Sequence, residues 1–325
     1  MRVLVTGGAG YIGSVIAARL SAQGHEVAVY DDLSRGHAAA VPAGATLVRG
    51  DICDEETLAA ALRGVGARAI VHMAALAEVA ESVSHPERYA EVNVAGTAAV
   101  LRAARATGVD RLVFSSTAAV YGDPGHVPIV EDDPLAPTNP YGETKLTAER
   151  LLRGVASHVA TVALRYFNAC GADAGLGEDH DPETHLVPLA LRAAADGTPF
   201  RIFGNDYPTA DGTCVRDYVH VADLADAHIL ALERLPDLPP ALNLGTGTGD
   251  SVLAVLDTVE QVTGRALRRV AAPRRPGDPP LLVAANDQAR RTLGWSPRRS
   301  LSDAVRDAWE WMRTHPRGYA EDPAR

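Results

Sequence analysis

A glycine-rich turn follows the first hydrophobic run of the chain and limits the folds that the chain can adopt. Residues 2–6, RVLVT, are an apolar run typical of a buried strand, and Gly7, Gly10 and Gly13 follow directly. From Val15 onwards, apolar residues recur at helical spacing. The glycines let the backbone approach a pyrophosphate, and the first N–H groups of the helix face its negative charge. The pattern therefore predicts a strand, a turn and a helix that bind a dinucleotide.

An acidic pair ends the second predicted strand and supports this interpretation. Residues 26–30, EVAVY, lead to Asp31 and Asp32, about twenty residues after the turn, where dinucleotide-binding proteins place a carboxylate. A carboxylate there accepts hydrogen bonds from a ribose 2′-hydroxyl and repels a 2′-phosphate, so NAD is favoured over NADP. The nearby Arg35, in contrast, favours NADP. A glycine-rich loop without a ligand is disfavoured because strand, turn, helix and acid are in register.

The composition limits the kinds of partner and the cell compartment that we expect for this chain. The chain has 325 residues, enough for one large domain or two moderate ones, and a net charge of −10. It has no basic block, so nucleic acid is not expected as a partner. No apolar run reaches membrane-spanning length, and the predicted strand at the N-terminus argues against a signal peptide, so no membrane partner is expected. Cys53, Cys170 and Cys214 are odd in number and far apart, which indicates a reducing, cytoplasmic setting and no metal site.

Three further apolar runs, at residues 45–50, 69–73 and 111–114, alternate with helical patterns. They predict an α/β fold, a Rossmann-type doubly wound parallel sheet in which ligands bind beyond the carboxyl ends of the strands. Asp51, after the third run, either meets the adenine or is a plain helix N-cap, and the sequence leaves both open. His72 precedes a strand end, which favours a packed residue over a catalytic one.

Three hydroxyls, at residues 115–117, end the fifth run, and a tyrosine and a lysine follow on a predicted helix. Asn139 is a good N-cap, Pro140 suits the first helical position, and Tyr141 and Lys145 share one helical face. A tyrosine with a reference pKa near 10 must shift by ~3 units, or ~4 kcal/mol, to act as a base near neutrality. A nearby ammonium or a positively charged nicotinamide favours the phenolate. This spacing alone arises by chance on many helices, but its place after a dinucleotide-binding fold favours a catalytic base.

These motifs resemble those of the extended short-chain dehydrogenase/reductase family, and more closely its nucleotide-sugar 4-epimerases. The family resemblance rests on residues 6–13, on Thr117 and on the Tyr141–Lys145 pair. The closer similarity rests on four further motifs: RYFN at 165–168, FGNDYPT at 203–209, DGTCVRDYVHV at 211–221 and PRRPGD at 273–278. Together these motifs cover nearly the whole chain.

The resemblance implies a reversible 4-epimerisation of UDP-glucose and UDP-galactose through a 4-keto sugar, with a bound NAD. It implies an NAD-binding Rossmann domain over residues 1–167, with returning segments near 218–244, and a smaller α/β substrate-binding domain over residues 168–325. A homodimer formed through helices near residues 89–106 and 141–152 is expected by analogy. The alternatives are a 4-epimerase for UDP-GlcNAc, UDP-glucuronate or a UDP-pentose, or an NAD-binding sugar-nucleotide reductase.

The resemblance also assigns roles to individual residues. Tyr141 takes the proton of the sugar 4-hydroxyl, Lys145 holds the cofactor ribose and lowers the tyrosine pKa, and Thr117 hydrogen-bonds the sugar hydroxyl. Arg216 and Arg275 clamp the diphosphate, since guanidinium groups match phosphate oxygens, unless they form surface salt bridges. The cofactor-binding set is Gly7, Gly10, Tyr11, Ile12, Gly13, Asp31, Asp32, Leu33, Ser34, Arg35, Gly36, Asp51, Ile52, Met73, Ala74, Ala75, Asn93, Ser115, Tyr141, Lys145 and Phe167. The substrate-binding set is Thr117, Tyr141, Asn168, Leu186, Phe203, Arg216, Arg275 and Asp278.

Four positions depart from the family pattern or leave a question open. Ala77 stands where many of these epimerases have a lysine that contacts the cofactor, so a weaker grip on NAD is expected. Leu282 matches the position that limits sugar size, and acceptance of N-acetylated sugars is open. Thr117 is followed by Ala118 rather than by the carboxylates of 4,6-dehydratases, which disfavours that activity. Phe203 either stacks on a uracil or belongs to the core.

Overall fold

The computed structural model describes residues 1–275 and 277–319 and alternates strands with helices through its first half. In chain order its strands are β1 (Arg2–Thr6), β2 (Glu26–Asp31), β3 (Thr46–Arg49), β4 (Ala69–His72), β5 (Arg111–Thr117), β6 (Ala160–Tyr166), β7 (Asn168–Cys170), β8 (Phe200–Phe203), β9 (Val215–Arg216), β10 (Tyr218–His220), β11 (Ala241–Leu244), β12 (Asp250–Ser251), β13 (Arg269–Ala272) and β14 (Leu281–Leu282). Its α-helices are α1 (Tyr11–Ala22), α2 (Glu55–Val65), α3 (Val79–Ser84), α4 (Pro86–Tyr89), α5 (Thr97–Thr107), α6 (Pro140–Val155), α7 (Leu186–Asp196), α8 (Val221–Arg234), α9 (Val252–Thr263), α10 (Asp287–Leu293) and α11 (Leu301–Thr314). No helix in the described ranges is long and apolar enough to cross a membrane.

Seven of these strands form one sheet in the spatial order β3-β2-β1-β4-β5-β6-β11, and every neighbouring pair is parallel. The predicted fold class, a doubly wound parallel sheet, is therefore confirmed. The chain reverses its direction of progress between β1 and β4. In such sheets ligands bind outside the carboxyl ends of the strands at this switch point.

Two predicted elements differ from the observed ones. The predicted fifth strand ends at residue 114, whereas β5 continues to Thr117 because Ser116 and Thr117 pair with Arg165 and Tyr166 of the long neighbouring strand. The predicted helix from residue 89 to 106 is π-helical over Ala90–Gly96 before α5 begins. The first difference arises from a strand that is distant in sequence.

Alternate residues of the sheet contribute to two hydrophobic cores, one on each face. Val3 and Val5 of β1 belong to the core beneath α1 and α8, whereas Leu4 belongs to the core beneath α2, α5 and α6. The two faces follow from the twofold alternation of side chains along a strand. They explain why consecutive residues 3–5 of β1 and 69–71 of β4 are all apolar, as expected for a sheet that is covered on both sides.

The second half of the chain contributes smaller sheets. β8 pairs with β13, β9 lies between β12 and β14, and β7 pairs with β10. Helices α7, α9 and α11 enclose a third core that includes Leu191, Val255 and Val305. β11, from this half, completes the large sheet beside β6. The division at residue 167 stays a prediction, and Pro276 and residues 320–325 lie outside the described residues.

Candidate active site

The glycine turn lies at the switch point, between the ends of β1 and β4. Gly7 has a positive φ of 67°, and a Cβ there would lie 2.5 Å from the backbone nitrogen of Ala74. A Cβ on Gly13 would lie 2.2 Å from the carbonyl oxygen of Gly7. Gly10 is the N-cap of α1 and has no side chain to occupy the N–H groups of the first turn. The turn is therefore a narrow cradle of the kind that accommodates a pyrophosphate.

Asp31 ties this turn to the end of β2. Its buried carboxylate accepts hydrogen bonds from the N–H groups of Ala9, at 3.0 Å, and Leu33, at 2.9 Å. Burial raises the pKa of Asp31. The carboxylate of Asp32 accepts from the N–H and the hydroxyl of Ser34 and lies at the surface. Both carboxylates stand at the carboxyl end of β2, where the predicted ribose contact requires one.

Arg35 has protein partners for its guanidinium. It donates to both carboxylate oxygens of Glu81, at 3.0 and 3.1 Å, and to the carbonyl oxygen of Asp181, at 3.2 Å. Because these partners engage it, Arg35 offers less support for NADP than its position in the sequence suggested. The next residue, Gly36, lies against the backbone of Ala9 and closes the loop over the turn.

The structure removes one of the two interpretations of Asp51. Its carboxylate accepts from the N–H of Cys53 at 2.8 Å, within the turn that precedes α2. The N-cap of α2 is Asp54, whose carboxylate accepts from the N–H of Thr57 at 3.1 Å. The N-cap interpretation of Asp51 is therefore wrong, because the N-cap lies three residues later, at Asp54. A contact between Asp51 and the adenine stays a prediction, and the adjacent Ile52 is buried.

The end of β4 adjoins the glycine turn. The N–H groups of Met73 and Ala74 donate to the carbonyl oxygen of Thr6, at 3.0 and 3.1 Å. His72, just before them, is buried between the hydroxyls of Thr6 and Thr97, and burial lowers its pKa to about 3. His72 is thus a packed strand residue, as its place in the sequence indicated.

Asn93 is held entirely by the protein. Its side-chain oxygen accepts from the N–H of Leu76 at 2.8 Å, and its amide nitrogen donates to the carbonyl of Leu76 and to the hydroxyl of Thr144. The side chain is buried and both of its hydrogens have protein acceptors. These bonds favour a positioning role for Asn93, which joins the segment after β4 to α6, over a direct cofactor contact.

Tyr141 lies in the first turn of α6, close to Thr117 at the end of β5. The Asn139 carboxamide caps this helix by accepting from the N–H of Gly142 at 2.9 Å, as predicted. Burial raises the pKa of Tyr141 to about 12, although a hydrogen bond with the Thr117 hydroxyl lowers it. In this structure the loss of water around the phenol outweighs the Thr117 contact, and a lowering of this pKa by Lys145 together with a bound nicotinamide stays a prediction.

Lys145 does not offset the rise in the pKa of Tyr141 in this structure. Its ammonium donates to the carbonyl oxygen of Ser115 at 2.9 Å and lies 4.9 Å above the ring of Phe114. Only 3% of Lys145 is exposed, and burial lowers its own pKa to about 7, against an opposing effect of Glu149. The ammonium is therefore directed at the end of β5. The hydroxyl of Ser115 forms a short hydrogen bond with the hydroxyl of Tyr166.

Glu149 is a residue of this site that the sequence interpretation missed. It is buried one turn after Lys145 on the same face of α6 and forms an ion pair with Arg165 of β6. It also accepts a hydrogen bond from the Ser116 hydroxyl at 2.6 Å. The signal was present as a third polar residue at the same four-residue spacing, which continues the face defined by Tyr141.

Arg216 and Asp278, both predicted to bind substrate, form an ion pair with each other. Arg216 also donates to the carbonyl oxygen of Val215 at 2.8 Å. Its strand pairs with β14, so that Arg216 lies opposite Leu282. A guanidinium has five N–H donors, so these contacts leave donors for a phosphate.

Phe203 and Arg275 form a second predicted pair. The guanidinium of Arg275 lies 4.2 Å from the centre of the Phe203 ring, and that of Arg201 lies 5.2 Å from it. Phe203 is half-buried at the end of β8. These cations on the ring make Phe203 a support for Arg275, while its stacking on a uracil stays a prediction.

One apolar cluster contains both a predicted cofactor-binding residue, Phe167, and the predicted size-limiting residue, Leu282. Phe167 and Leu282 both pack against a buried cluster of Val120 and Tyr121 just after β5, Ile129 in the segment before α6, and Leu146 on α6. The remaining substrate candidates lie at element starts. Asn168 begins β7 and donates its N–H to the carbonyl of Asp217, and Leu186 begins α7 and packs on the third core.

The chain matches known proteins over nearly its whole length. The model of the NAD dependent epimerase/dehydratase family matches residues 3–245. The UDP-glucose 4-epimerase of Streptomyces lividans is 50% identical over 323 residues, 98% of this chain and 98% of that protein. A UDP-glucose 4-epimerase of Brucella ovis, solved in complex with NAD, is 45% identical, with a TM-score of 0.91 over 95% of this chain and 97% of its own. Another from Stenotrophomonas maltophila, with bound NAD and formylated UDP-arabinopyranose, is 41% identical, with a TM-score of 0.93 over 98% and 99%.

The residues at the switch point fit a dinucleotide of this kind. A Cβ at Gly7 or Gly13 would fill the cradle, and Asp31 fixes the turn from the end of β2. A strand-end threonine, a tyrosine and a lysine stand beside that cradle on β5 and α6. Given this geometry, the matched family model and the relatives at up to 50% identity, the chain belongs to the NAD dependent epimerase/dehydratase family.

Proposed function

We propose that this chain catalyses the reversible 4-epimerisation of UDP-glucose and UDP-galactose. The observation that carries the proposal is the placement of Thr117 at the end of β5 and of Tyr141 and Lys145 on one face of α6, with the Lys145 ammonium donating to Ser115 of β5. NAD, when bound, supplies a hydride acceptor and donor for C4 of the sugar. The glycine turn, Asp31, Ser115 and Lys145 are the groups that would hold it.

Tyr141 is proposed to exchange a proton with the sugar 4-hydroxyl. Thr117 is proposed to hydrogen-bond the same hydroxyl, and its contact with the phenol opposes the rise in the Tyr141 pKa that burial causes. A positive charge beside the phenol favours the phenolate, so Lys145, one turn along α6, would lower this pKa by turning its ammonium from the Ser115 carbonyl towards the phenol. The buried environment strengthens each of these charge effects, because no water competes with them.

Arg216 and Arg275 are proposed to hold the diphosphate while the sugar turns over. Each already has an anchor, since Asp278 fixes the first guanidinium and the Phe203 ring supports the second. Pre-positioned guanidinium groups lose less conformational entropy when they meet a phosphate. An anchored diphosphate leaves the hexose as the only part free to present its other face.

Epimerases for other UDP-sugars, and a sugar-nucleotide reductase, are the alternative functions. A 4-epimerase for UDP-GlcNAc, UDP-glucuronate or a UDP-pentose would use the same Thr117, Tyr141 and Lys145. A reductase would change the absorbance of its reduced nicotinamide during turnover, whereas an epimerase returns the hydride and leaves the absorbance constant. A panel of UDP-sugars assayed without added cofactor separates these possibilities.

The decisive assay follows UDP-galactose conversion by the purified chain and by Tyr141→Phe. The phenylalanine keeps the ring and removes the acid–base group, so we expect a rate loss of about 10²–10⁴-fold. Tyr319→Phe, which removes a hydroxyl that contacts the N–H of Gly177, is the matched control and should retain activity. Near-normal turnover by Tyr141→Phe would refute the assigned base, and an inactive parent chain would refute the function.

We also propose that the enzyme works in the cytoplasm as a homodimer. Three unpaired cysteines support a reducing compartment. The dimer rests on analogy within the family, through the helices near residues 89–106 and 141–152. Light scattering coupled to gel filtration tests it, and a monomer at assay concentration would contradict it.

A further inference from the structure

A buried asparagine at the edge of the large sheet has no part in the proposed mechanism. Asn243 lies on β11 and is fully buried. Its side-chain oxygen accepts a hydrogen bond from the Tyr121 hydroxyl at 2.7 Å, and its amide nitrogen donates to the carbonyl oxygen of Ile129 at 2.9 Å. Its backbone N–H donates to a carboxylate oxygen of Glu131 at 2.8 Å. Asn243 therefore holds two parts of the segment between β5 and α6.

The bond to Tyr121 leads to the proposed site of proton transfer. Tyr121 ends a 3₁₀ turn that starts directly after Thr117. The Thr117 hydroxyl accepts from the N–H of Ala119 within this turn, at 3.1 Å. The turn also packs closely on the start of α6, because a Cβ on Gly142 would lie 2.6 Å from the carbonyl oxygen of Ala119. Fixing Tyr121 therefore fixes the backbone between Thr117 and the helix that carries Tyr141.

The bond to Ile129 leads to the strand that carries Leu282. The N–H of Ile129 donates to the carbonyl oxygen of Val283 at 2.8 Å, and the N–H of Ala285 donates back to the carbonyl oxygen of Ile129 at 2.7 Å. That carbonyl is the one that Asn243 also contacts. Leu282, just before Val283, packs on the apolar cluster that contains Ile129. The position of Leu282 therefore depends on a carbonyl that Asn243 holds.

We propose that Asn243 is a positioning residue that sets the space between Leu282 and the proton-transfer group of Tyr141. An amide suits this role because it accepts from a hydroxyl and donates to a carbonyl at once, which neither an ionised carboxylate nor an aliphatic side chain can do. Buried polar groups keep such partners, so both bonds are maintained together. Asn243 then acts as a spacer of fixed length, and the sugar must fit the gap that it leaves. The inference rests on the proposed function of this site.

The diphosphate clamp lies on the same side of this gap as Leu282. Arg216 is opposite Leu282 in the pairing of β9 with β14, and Asp278 holds its guanidinium. The clamp and Leu282 therefore stay together when their distance from Tyr141 changes. Loss of the Asn243 bonds should leave UDP binding intact and change only how the sugar fits against Tyr141.

Calorimetry with UDP, UDP-glucose and UDP-GlcNAc tests the proposal without an assay of turnover. Asn243→Leu keeps a side chain of similar size and removes both side-chain bonds. We expect the Kd for UDP to stay within about twofold of the parent value, whereas the Kd for UDP-GlcNAc relative to UDP-glucose should fall about threefold or more, because a looser gap penalises the bulkier sugar less. A merely structural asparagine would weaken all three ligands together or none, and either result would overturn the proposal.

Two further variants separate positioning from a folding defect. Tyr121→Phe removes only the hydroxyl that Asn243 accepts from, and it should shift the Kd ratio in the same direction. Trp295→Phe is the matched control, because it removes another buried hydrogen bond, to the carbonyl oxygen of Asp223 at 2.8 Å. It should lower the melting temperature and leave the ratio unchanged.

Circular dichroism shows whether each variant folds, and Tyr121→Phe decides the matter if Asn243→Leu does not. An unchanged Kd ratio in either folded variant overturns the role of Asn243. A parent chain that binds both UDP-sugars but does not convert UDP-galactose would refute the proposed function alone, because the Kd ratio does not depend on turnover.

Discussion

Arg165 and Glu149 form a fully buried ion pair with two hydrogen bonds beneath the end of β5. Nε of Arg165 lies 2.9 Å from one carboxylate oxygen, and Nη2 lies 2.6 Å from the other. The two side chains are 1% and 2% exposed. Ser116 donates to the same carboxylate, and the Tyr121 hydroxyl accepts from Arg165 at 2.8 Å. The pair therefore fastens α6 to β5 and β6.

Removing one partner of this pair should destabilise the chain strongly. Glu149→Ala leaves the Arg165 charge buried and unpaired, and we expect a loss of about 3–5 kcal/mol in the free energy of unfolding. The control is Asp110→Ala, which breaks partly exposed ion pairs with Arg68 and Arg111 and should cost less than about 1 kcal/mol. Urea denaturation measures both. Equal losses for the two variants would contradict the importance of burial.

The pKa of Lys145 can be measured directly, because Lys145 is the only lysine in the chain. Burial lowers its pKa to about 7, whereas an unfolded lysine titrates near 10.4. The folded chain then binds fewer protons than the unfolded chain between these values, so this group makes stability rise as the pH rises from about 7 to 10. Selective ¹⁵N-lysine labelling gives one Nζ resonance, whose shift against pH in the nucleotide-free chain reports the pKa.

The effect of Glu149 provides the control for that titration. Glu149 raises the Lys145 pKa, so Glu149→Gln should lower it further if the variant folds. A parent chain that titrates near 10 would show that Lys145 is hydrated rather than buried.

The glycine cradle should not accept a methyl group at Gly13. Gly13→Ala places a Cβ 2.2 Å from the carbonyl oxygen of Gly7, so the turn must open. We expect the purified variant to lose most of its bound NAD, measured by chromatography after denaturation. Gly64→Ala on α2, where a Cβ meets nothing within 4 Å, should keep its NAD and gain up to about 1 kcal/mol of stability. Equal NAD content in both variants would show that the cradle tolerates the methyl group.

The side chain at position 282 should influence sugar size. Leu282 packs against the apolar cluster near the end of β5, so Leu282→Cys removes volume beside the predicted sugar position. We expect kcat/KM for UDP-GlcNAc relative to UDP-glucose to rise about tenfold or more, the usual effect of a change in pocket volume. Leu281→Cys changes the neighbouring residue on the opposite face of β14 and should leave the ratio unchanged. Equal ratios in both variants would argue against this position.

Local patterns in the sequence were enough to predict several parts of the structure. Three of these parts depend on residues that are close together in the chain: the turn at Gly7–Gly13, the acid at the end of β2 and the Asn139 cap. They can therefore be predicted from the spacing of residue types. The alternation of apolar runs and helical patterns predicted the parallel sheet for the same reason. Asp51 was interpreted incorrectly as a possible cap, although the neighbouring Asp54 and Thr57 carry the local signal.

Tertiary structure alone decided how charge is distributed around the site. The pKa of Tyr141 rises because packing removes water from the phenol, and no local pattern records that burial. The partners of Glu149 and Arg216 depend on distances set by the folded chain. Sequence therefore determined which chemical groups are present and on which elements they lie. Only packing determined their electrostatic states, because Coulomb and desolvation energies depend on separation and burial in space.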